Sequence, residues 1–145
     1  MNTPKRILLV EDNSNDIELT IEVFREHRIA NEIDFVRDGS EALDYLYRRN
    51  QYANRSTENP ALILLDIKMP KVDGMAVLEI IKSDINLKTV PVVMLTSSRE
   101  EKDLLQSYKL GVNAYVVKPV KFDEFINAVK QIGIFWVLIN ESPIL

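Results

Sequence analysis

The stretch Leu62-Ile-Leu-Leu-Asp66-Ile-Lys-Met-Pro70 decides the fold, because an apolar run ends there in one carboxylate and a proline turn. Four or five apolar residues between Pro60 and Pro70 are too few for a core helix and favour a strand buried on both faces. Such strands belong to parallel sheets, where chemistry collects outside the carboxyl ends of the strands. Asp66 is therefore a candidate reactive group, although a lone aspartate after a strand more often only ends it.

Length and composition indicate one domain over residues 1–145. Of the residues, 46% are hydrophobic and 28% charged, and no apolar run reaches the ~18 residues that span a bilayer. The N-terminus lacks the apolar core of a signal peptide, and no cysteine is present for disulfides or thiolate metal sites. The formal net charge is -4, and no Lys- or Arg-rich run with interleaved aromatic residues occurs. We expect a cytoplasmic protein that binds neither membranes nor nucleic acid directly.

Four further apolar runs are short enough for strands, and helical patterns separate them. The predicted strands cover residues 6–10, 33–36, 62–66, 90–95 and 114–117. The predicted helices begin near residues 13–14, 39, 74, 98 and 122. The second helix is expected to bury Leu46 and Tyr47, and the polar residues 48–59 are expected to form a long exposed loop.

Five strands that alternate with five helices predict a doubly wound α/β fold with a parallel sheet. Right-handed crossovers favour the strand order 2-1-3-4-5, which sets the first and third strands side by side at the topological switch point. Glu11, Asp12 and Asp66 then share one crevice. Thr96 and Lys118 end the neighbouring strands and reach the same edge.

Three carboxylates at close range repel one another, and each raises the pKa of the others unless a cation intervenes. Mg²⁺ takes oxygen ligands and keeps positions for water or phosphate oxygens. We predict Asp12 and Asp66 as direct ligands and Glu11 as a ligand through water. The ion would also neutralise a phosphoryl group during transfer to Asp66, whose carboxylate needs no base to act as the nucleophile.

Thr96 and Lys118 supply the remaining contacts that a phosphoryl group needs. The Thr96 hydroxyl can donate a hydrogen bond to one phosphoryl oxygen, and the Lys118 ammonium can pair with another. Taken alone, each residue has a simpler interpretation, as a helix cap, a turn residue or a solvated side chain. Their convergence with three carboxylates at one sheet edge favours phosphoryl transfer.

These residues resemble the signature of response-regulator receiver domains, over residues 5 to about 132. The matched positions are the acidic pair Glu11 and Asp12, the phosphoacceptor Asp66, the turn residues Met69, Pro70 and Gly74, the hydroxyl switch Thr96, the aromatic switch Tyr115, and the motif Lys118-Pro119. Glu11 stands where Asp is commoner, which alters the reach of that carboxylate.

The resemblance implies a flavodoxin-like fold and a phosphoacceptor of a two-component phosphorelay, not an enzyme with its own substrate. A histidine kinase would donate the phosphoryl group to Asp66. The metal, Mg²⁺ or Mn²⁺, would also bind the backbone carbonyl of Lys68. Thr96 and Tyr115 would form the switch, and the peptide bond before Pro119 would be cis.

The long polar loop before the third strand and the Phe135-Trp136 ending are similar to those of the small stand-alone regulators of cyanobacterial phytochromes. That narrower resemblance implies a phytochrome-type kinase as the donor. Only thirteen residues follow position 132, so no output domain is expected, and a downstream protein of unknown identity would read the signal.

Residues 133–145 form an apolar C-terminal extension. The stretch Gly133-Ile-Phe-Trp-Val-Leu-Ile139 has six consecutive large apolar residues, whereas Phe122 to Ile132 already supplies the one stripe that a core helix buries. We expect the surplus to form an exposed patch that holds a homodimer together. The alternative is that the extension folds back on its own domain.

Three other functions compete. A phosphatase of the haloacid-dehalogenase type also uses an aspartate at a strand end, but it needs a second carboxylate at position 68, where this chain has Lys68. A flavodoxin-like cofactor binder would meet repulsion between its phosphate and Glu11 and Asp12. A docking module without phosphorylation would not need the complete set of signature residues.

Overall fold

The computed structural model describes residues 5–67, 69, 71–97 and 109–131. The strands in these ranges are β1 Ile7–Val10, β2 Ile33–Val36, β3 Leu62–Asp66, β4 Val92–Thr96 and β5 Ala114–Val117. The α-helices in these ranges are α1 Ser14–Glu26, α2 Gly39–Tyr47, α3 Gly74–Ser83 and α4 Phe122–Gln131, and a short 3₁₀-helix spans Asn50–Tyr52. The helix predicted from residue 98, the residue Lys68 and the extension 133–145 lie outside the described residues.

The described strands form one parallel sheet in the order β2-β1-β3-β4-β5. This order confirms the predicted doubly wound α/β fold. The central strand is β3, which pairs with β1 on one side and β4 on the other. Asp66 therefore lies at the carboxyl end of the middle of the sheet.

Both faces of the sheet are covered by helices, so β1, β3 and β4 are buried along their whole length. Successive residues of β3 alternate between the faces. Leu65 packs with α2 and α3 in one apolar cluster, and Leu64 packs with α1 and α4 in another. The strand predicted to be buried on both faces is confirmed.

Side-chain caps fix where the helices begin. The Asp16 backbone N–H donates to the Asn13 side chain at 3.0 Å, so Asn13 caps α1. Asp38 caps α2 and Asp73 caps α3 by the same type of bond. Because Asn13 follows the first acidic pair directly, its cap sets the first turn of α1 against the carboxyl end of β1.

The largest difference from a predicted strand boundary is at the start of β4. Strand β4 begins at Val92, whereas the apolar pattern extends back to Val90. The Val90 N–H donates to the Leu87 carbonyl within a turn at 2.9 Å, and Pro91 has no N–H to donate to a neighbouring strand. Pro91 therefore joins the sheet only through its carbonyl, which accepts the Ile63 N–H at 3.0 Å, and the paired residues of β4 begin at Val92.

A second difference concerns α2, which buries Tyr45 instead of the predicted Tyr47. Tyr45 is 2% exposed and Tyr47 is 38% exposed. The predicted loop 48–59 is mostly exposed, but Arg55 is half-buried because it folds back over α2. Its Nε donates to the Tyr45 carbonyl at 2.9 Å, and its guanidinium lies 4.1 Å from the centre of the Tyr45 ring.

No helix in the described part of the chain is long and apolar enough to span a bilayer.

Candidate metal and phosphoacceptor site

The predicted site residues lie where neighbouring parallel strands end. Glu11 and Asp12 follow β1, Asp66 ends β3, Thr96 ends β4, and Lys118 follows β5. The register pairs Val10 with Leu65, Asp66 with Leu95, and Thr96 with Val117. The sheet therefore brings all five residues to one edge, in the crevice where parallel α/β sheets bind ligands.

Glu11, Asp12 and Asp66 form an acidic cluster in which each residue offers one carboxylate oxygen, all within 4.8 Å of one another. Glu11 is fully buried and Asp66 is 5% exposed, whereas Asp12 is exposed and opens the cluster to solvent. Oxygen ligands on one side and solvent on the other suit a hard divalent cation that keeps part of its water shell. The residues present therefore fit such an ion.

The ammonium of Lys118 bridges carboxylates in the same crevice. Its Nζ donates to Glu11 Oε1 at 2.9 Å and to Asp16 Oδ2 at 3.0 Å. The contact with Asp66 Oδ2 is longer, at 3.3 Å. The Lys118 side chain is only 12% exposed, so these bonds replace most of its hydration.

Burial and charge shift the pKa values of this pair. Burial raises the pKa of Glu11 to about 7, with the neighbouring Asp66 charge adding to the rise and the Lys118 hydrogen bond opposing it. Burial also opposes the charged form of Lys118. The hydrogen bonds to Glu11 and Asp16 outweigh that effect and raise the pKa of Lys118 above its usual range. Lys118 is therefore a cation at neutral pH.

Glu11 is held in place at both carboxylate oxygens. Oε1 accepts from Lys118, and Oε2 accepts from the Asn13 backbone N–H at 3.1 Å. The Glu11 backbone N–H donates to the Val36 carbonyl of β2 at 3.0 Å. This engagement leaves Asp12 as the more accessible member of the acidic pair.

Thr96 and Tyr115 share one face of the sheet. Thr96 is 4% exposed and pairs with Val117, which lies two residues after Tyr115 in β5. Tyr115 is half-buried and packs against the apolar cluster that contains Met94. The Thr96 carbonyl accepts the Lys118 backbone N–H at 2.7 Å, and the Lys118–Pro119 peptide bond is cis.

The turn after β3 needs a glycine because its backbone crosses the strand end closely. A Cβ added at Gly74 would lie 2.0 Å from the Asp66 carbonyl oxygen. The Gly74 N–H donates to the Ile67 carbonyl at 2.9 Å and closes the turn, within which Met69 is 9% exposed. Any side chain here would push α3 away from Asp66.

Asp16 is a site residue that sequence reasoning missed. Its sequence position suggested only a favourable charge at the start of a helix. In the structure its carboxylate reaches Lys118. The sequence does contain a signal for this contact. Side chains in a helix lean toward its N-terminus, so a carboxylate in the first turn of α1 points back toward the end of β1.

Comparison with known proteins agrees with this geometry. A family model described as "Response regulator receiver domain" matches residues 7–130. The chain belongs to the response regulator receiver family. The acidic cluster of Glu11, Asp12 and Asp66 fits the divalent-metal site predicted from the sequence.

Solved and curated relatives place the chain near phytochrome regulators. It is 55% identical to the bacteriophytochrome response regulator AtBRR, with a TM-score of 0.87, over 94% of this chain and 98% of that one. It is 46% identical to the structure of the phosphorylated cyanobacterial phytochrome response regulator RcpA, with a TM-score of 0.76, over 92% and 94% of the two chains.

A third relative is the response regulator Rcp1 of Synechocystis sp. It is 42% identical over 135 residues, which cover 93% of this chain and 90% of Rcp1. A structure of Rcp1 in its Mn²⁺-bound form has a TM-score of 0.76 and 40% identity over 97% of this chain and 100% of that one.

Proposed function

We propose that this protein accepts a phosphoryl group on Asp66 from a histidine kinase and signals by changing its contacts with other proteins. The observation that carries the proposal is the position of Asp66 at the end of the central strand. Its carboxylate lies 3.3 Å from the Lys118 ammonium and within 4.8 Å of the Glu11 and Asp12 oxygens. The Asp66 carboxylate, which is the nucleophile, therefore lies beside both a cation and the candidate metal ligands.

The reaction is a direct transfer to the carboxylate. An Asp66 oxygen attacks the phosphorus of a phosphohistidine, so that a P–O bond forms as the P–N bond breaks. The electron pair of the broken bond leaves with the imidazole, which takes up a proton. The product is an acyl phosphate on Asp66, and no base is needed because a carboxylate is already a nucleophile.

Each remaining site residue meets one demand of the transferred group. Lys118 pairs its ammonium with one phosphoryl oxygen, and Thr96 donates its hydroxyl to another. Asp12, Asp66 and the backbone carbonyl of Lys68 would hold Mg²⁺ or Mn²⁺, and Glu11 would act through water. When bound, the cation offsets the charge that carboxylates and phosphate would otherwise accumulate.

The output depends on two packings of Thr96 and Tyr115. If the Thr96 hydroxyl moves to a phosphoryl oxygen, it vacates space on the face of the sheet that it shares with Tyr115. The aromatic ring can then turn inward, which changes the surface beside β5. The phosphoryl group favours this packing because its hydrogen bond with the Thr96 hydroxyl forms only there.

The donor that we propose is a phytochrome-type histidine kinase. The similarity to the regulators named above supports this assignment, with 55% identity to AtBRR over most of both chains. A further protein would read the phosphorylated surface. We also propose that the protein is a cytoplasmic homodimer of one-domain chains, with the apolar extension 133–145 in the interface.

The direct test uses a small phosphodonor, so that it does not depend on knowing the kinase. The protein is incubated with acetyl phosphate and Mg²⁺, and its intact mass is measured. We expect the addition of one phosphoryl group to the parent and none to Asp66→Asn. Asparagine keeps the shape of the side chain, so equal labelling of the variant would refute Asp66 as the acceptor.

A further inference from the structure

Asp16 contacts the phosphorylation site but has no part in the transfer described above. Its carboxylate lies 3.0 Å from Lys118 Nζ, closer than the 3.3 Å between that nitrogen and Asp66. Lys118 is the residue that must pair with the incoming phosphoryl group. Whatever holds its ammonium therefore affects how strongly that group binds.

We propose that Asp16 is a positioning residue that restrains Lys118 in the unphosphorylated protein and gives it up when the phosphoryl group arrives. This inference rests on the proposed phosphorylation of Asp66 and deepens it. In this proposal Asp16 is not a ligand of the metal ion and does not contact the phosphoryl group. It acts only through the ammonium that it shares with Glu11 and Asp66.

The donor count of the ammonium makes an exchange necessary. A lysine ammonium has three N–H donors, and among the described residues the Lys118 Nζ has three carboxylate partners. A phosphoryl oxygen would be a fourth acceptor. One of the existing contacts must therefore weaken before Lys118 can bind it fully.

Burial decides which contact yields. The Glu11 side chain is fully buried, so losing the Lys118 ammonium would leave its carboxylate without water and with the Asn13 N–H as its remaining described hydrogen bond. The Asp16 side chain is 26% exposed and can be hydrated once Lys118 leaves. Asp66 would carry the phosphoryl group itself. Asp16 is therefore the partner that can be replaced at least cost.

The backbone of Asp16 is fixed, so that its carboxylate is a defined restraint. Its N–H donates to the Asn13 side chain at 3.0 Å, and its carbonyl accepts the Thr20 hydroxyl at 2.8 Å. It sits in the first turn of α1, where the helix dipole favours a negative charge. Asp16 therefore stays in place while Lys118 moves.

Asp16→Asn should make the site bind a phosphoryl analogue more tightly, because the amide keeps the shape but releases the charge that competes for Lys118. A partly exposed ion pair of this kind corresponds to roughly a 5-fold change in affinity, or about 1 kcal/mol. The probe is beryllofluoride with saturating Mg²⁺, and its dissociation constant is measured by isothermal titration calorimetry.

Glu18→Gln is the matched control, since Glu18 is an exposed acid on the same helix and the substitution makes the same change in net charge. We expect this control to bind beryllofluoride as the parent does. If Asp16→Asn binds no more tightly than Glu18→Gln, or binds more weakly than the parent, the restraint does not exist and the inference is wrong.

A double-mutant cycle with Lys118→Gln shows whether the effect passes through the lysine. With the ammonium absent, Asp16→Asn should change the affinity less than 2-fold. An equal gain in both backgrounds would mean a general charge effect and would overturn the positioning role. If the parent itself binds no beryllofluoride and gains no phosphoryl group from acetyl phosphate, the proposed function fails, and the inference fails with it for that separate reason.

Discussion

Tyr45 and Tyr47 offer a matched test of what stabilises the fold. Both lie in α2, and the hydroxyl of each donates a hydrogen bond to an aspartate outside that helix. The Tyr45 hydroxyl donates to Asp34 Oδ2 at 2.5 Å, and the Tyr47 hydroxyl donates to Asp84 Oδ2 at 2.6 Å. The two bonds differ in their surroundings, since Tyr45 is 2% exposed and Tyr47 is 38% exposed. The substitution to phenylalanine removes one oxygen in each case.

We predict that Tyr45→Phe lowers the free energy of unfolding by about 2 kcal/mol, the usual range for a buried hydrogen bond to a charged group. Asp34 also accepts from Arg6 Nε and Nη2, both at 2.7 Å, so its charge keeps a partner and the loss should not be larger. Tyr47→Phe should show no measurable loss, because solvent replaces its bond.

Lowering the pH should reduce the difference in the free energy of unfolding between the parent and Tyr45→Phe. Arg6 and Tyr45 hold the pKa of Asp34 below its usual value, against the opposing effect of burial. A carboxyl group with a lowered folded-state pKa contributes stability above its unfolded pKa of about 3.9 and loses it as the pH falls through the folded value. The gap between the parent and Tyr45→Phe should therefore narrow below about pH 4.

The assay is urea unfolding followed by circular dichroism, at one protein concentration so that any association affects all variants equally. The parent, Tyr45→Phe and Tyr47→Phe are compared at neutral pH and near pH 3. Equal losses for the two variants at neutral pH, or a Tyr45→Phe loss that grows in acid, would refute the reasoning from burial and charge.

Three further predictions concern the site and the extension. Excess EDTA should abolish labelling by acetyl phosphate, because the acidic cluster and an anionic donor repel each other without a divalent cation, and undiminished labelling would contradict the metal role. Thr96→Ala should be labelled but should lose the phosphorylation-dependent change in partner binding. If a pull-down showed the same change in partner binding as for the parent, the proposed role of Thr96 in the switch would be wrong. Deletion of residues 135–145 should weaken a homodimer at tens of micromolar by sedimentation equilibrium, and a monomeric parent or an unweakened dimer would refute the role of the extension.

The fold could be predicted from the sequence because its strongest signals are local. Apolar runs of four or five residues marked the strands, and carboxylates or hydroxyls marked their ends at Asp66 and Thr96. A parallel sheet brings equivalent strand ends together, so the site edge followed from the strand order alone. The start of β4 was misjudged because the apolar pattern runs back through Pro91 to Val90, whereas the Val90 N–H bonds within a turn and Pro91 has no N–H to donate.

Other features depend on contacts between distant residues and could not be read from spacing. The choice of Tyr45 over Tyr47 for the core depends on Asp34, which lies in another element and accepts the buried hydroxyl. The link between Asp16 and Lys118 joins residues 102 positions apart. Tyr45 and Asp16 each also fit their own helix without these contacts, so only the folded structure shows that Asp34 and Lys118 are their partners.

The central claim is that the phosphoryl group forms an acyl phosphate on Asp66. The measurement that tests it most directly is borohydride reduction of the phosphorylated protein, which converts an aspartyl phosphate to homoserine, followed by peptide mass spectrometry. We predict homoserine at position 66, in an amount that matches the phosphoryl group added to the intact protein. Homoserine at position 12 or 16 instead, or a phosphorylated protein that yields none, would contradict the account.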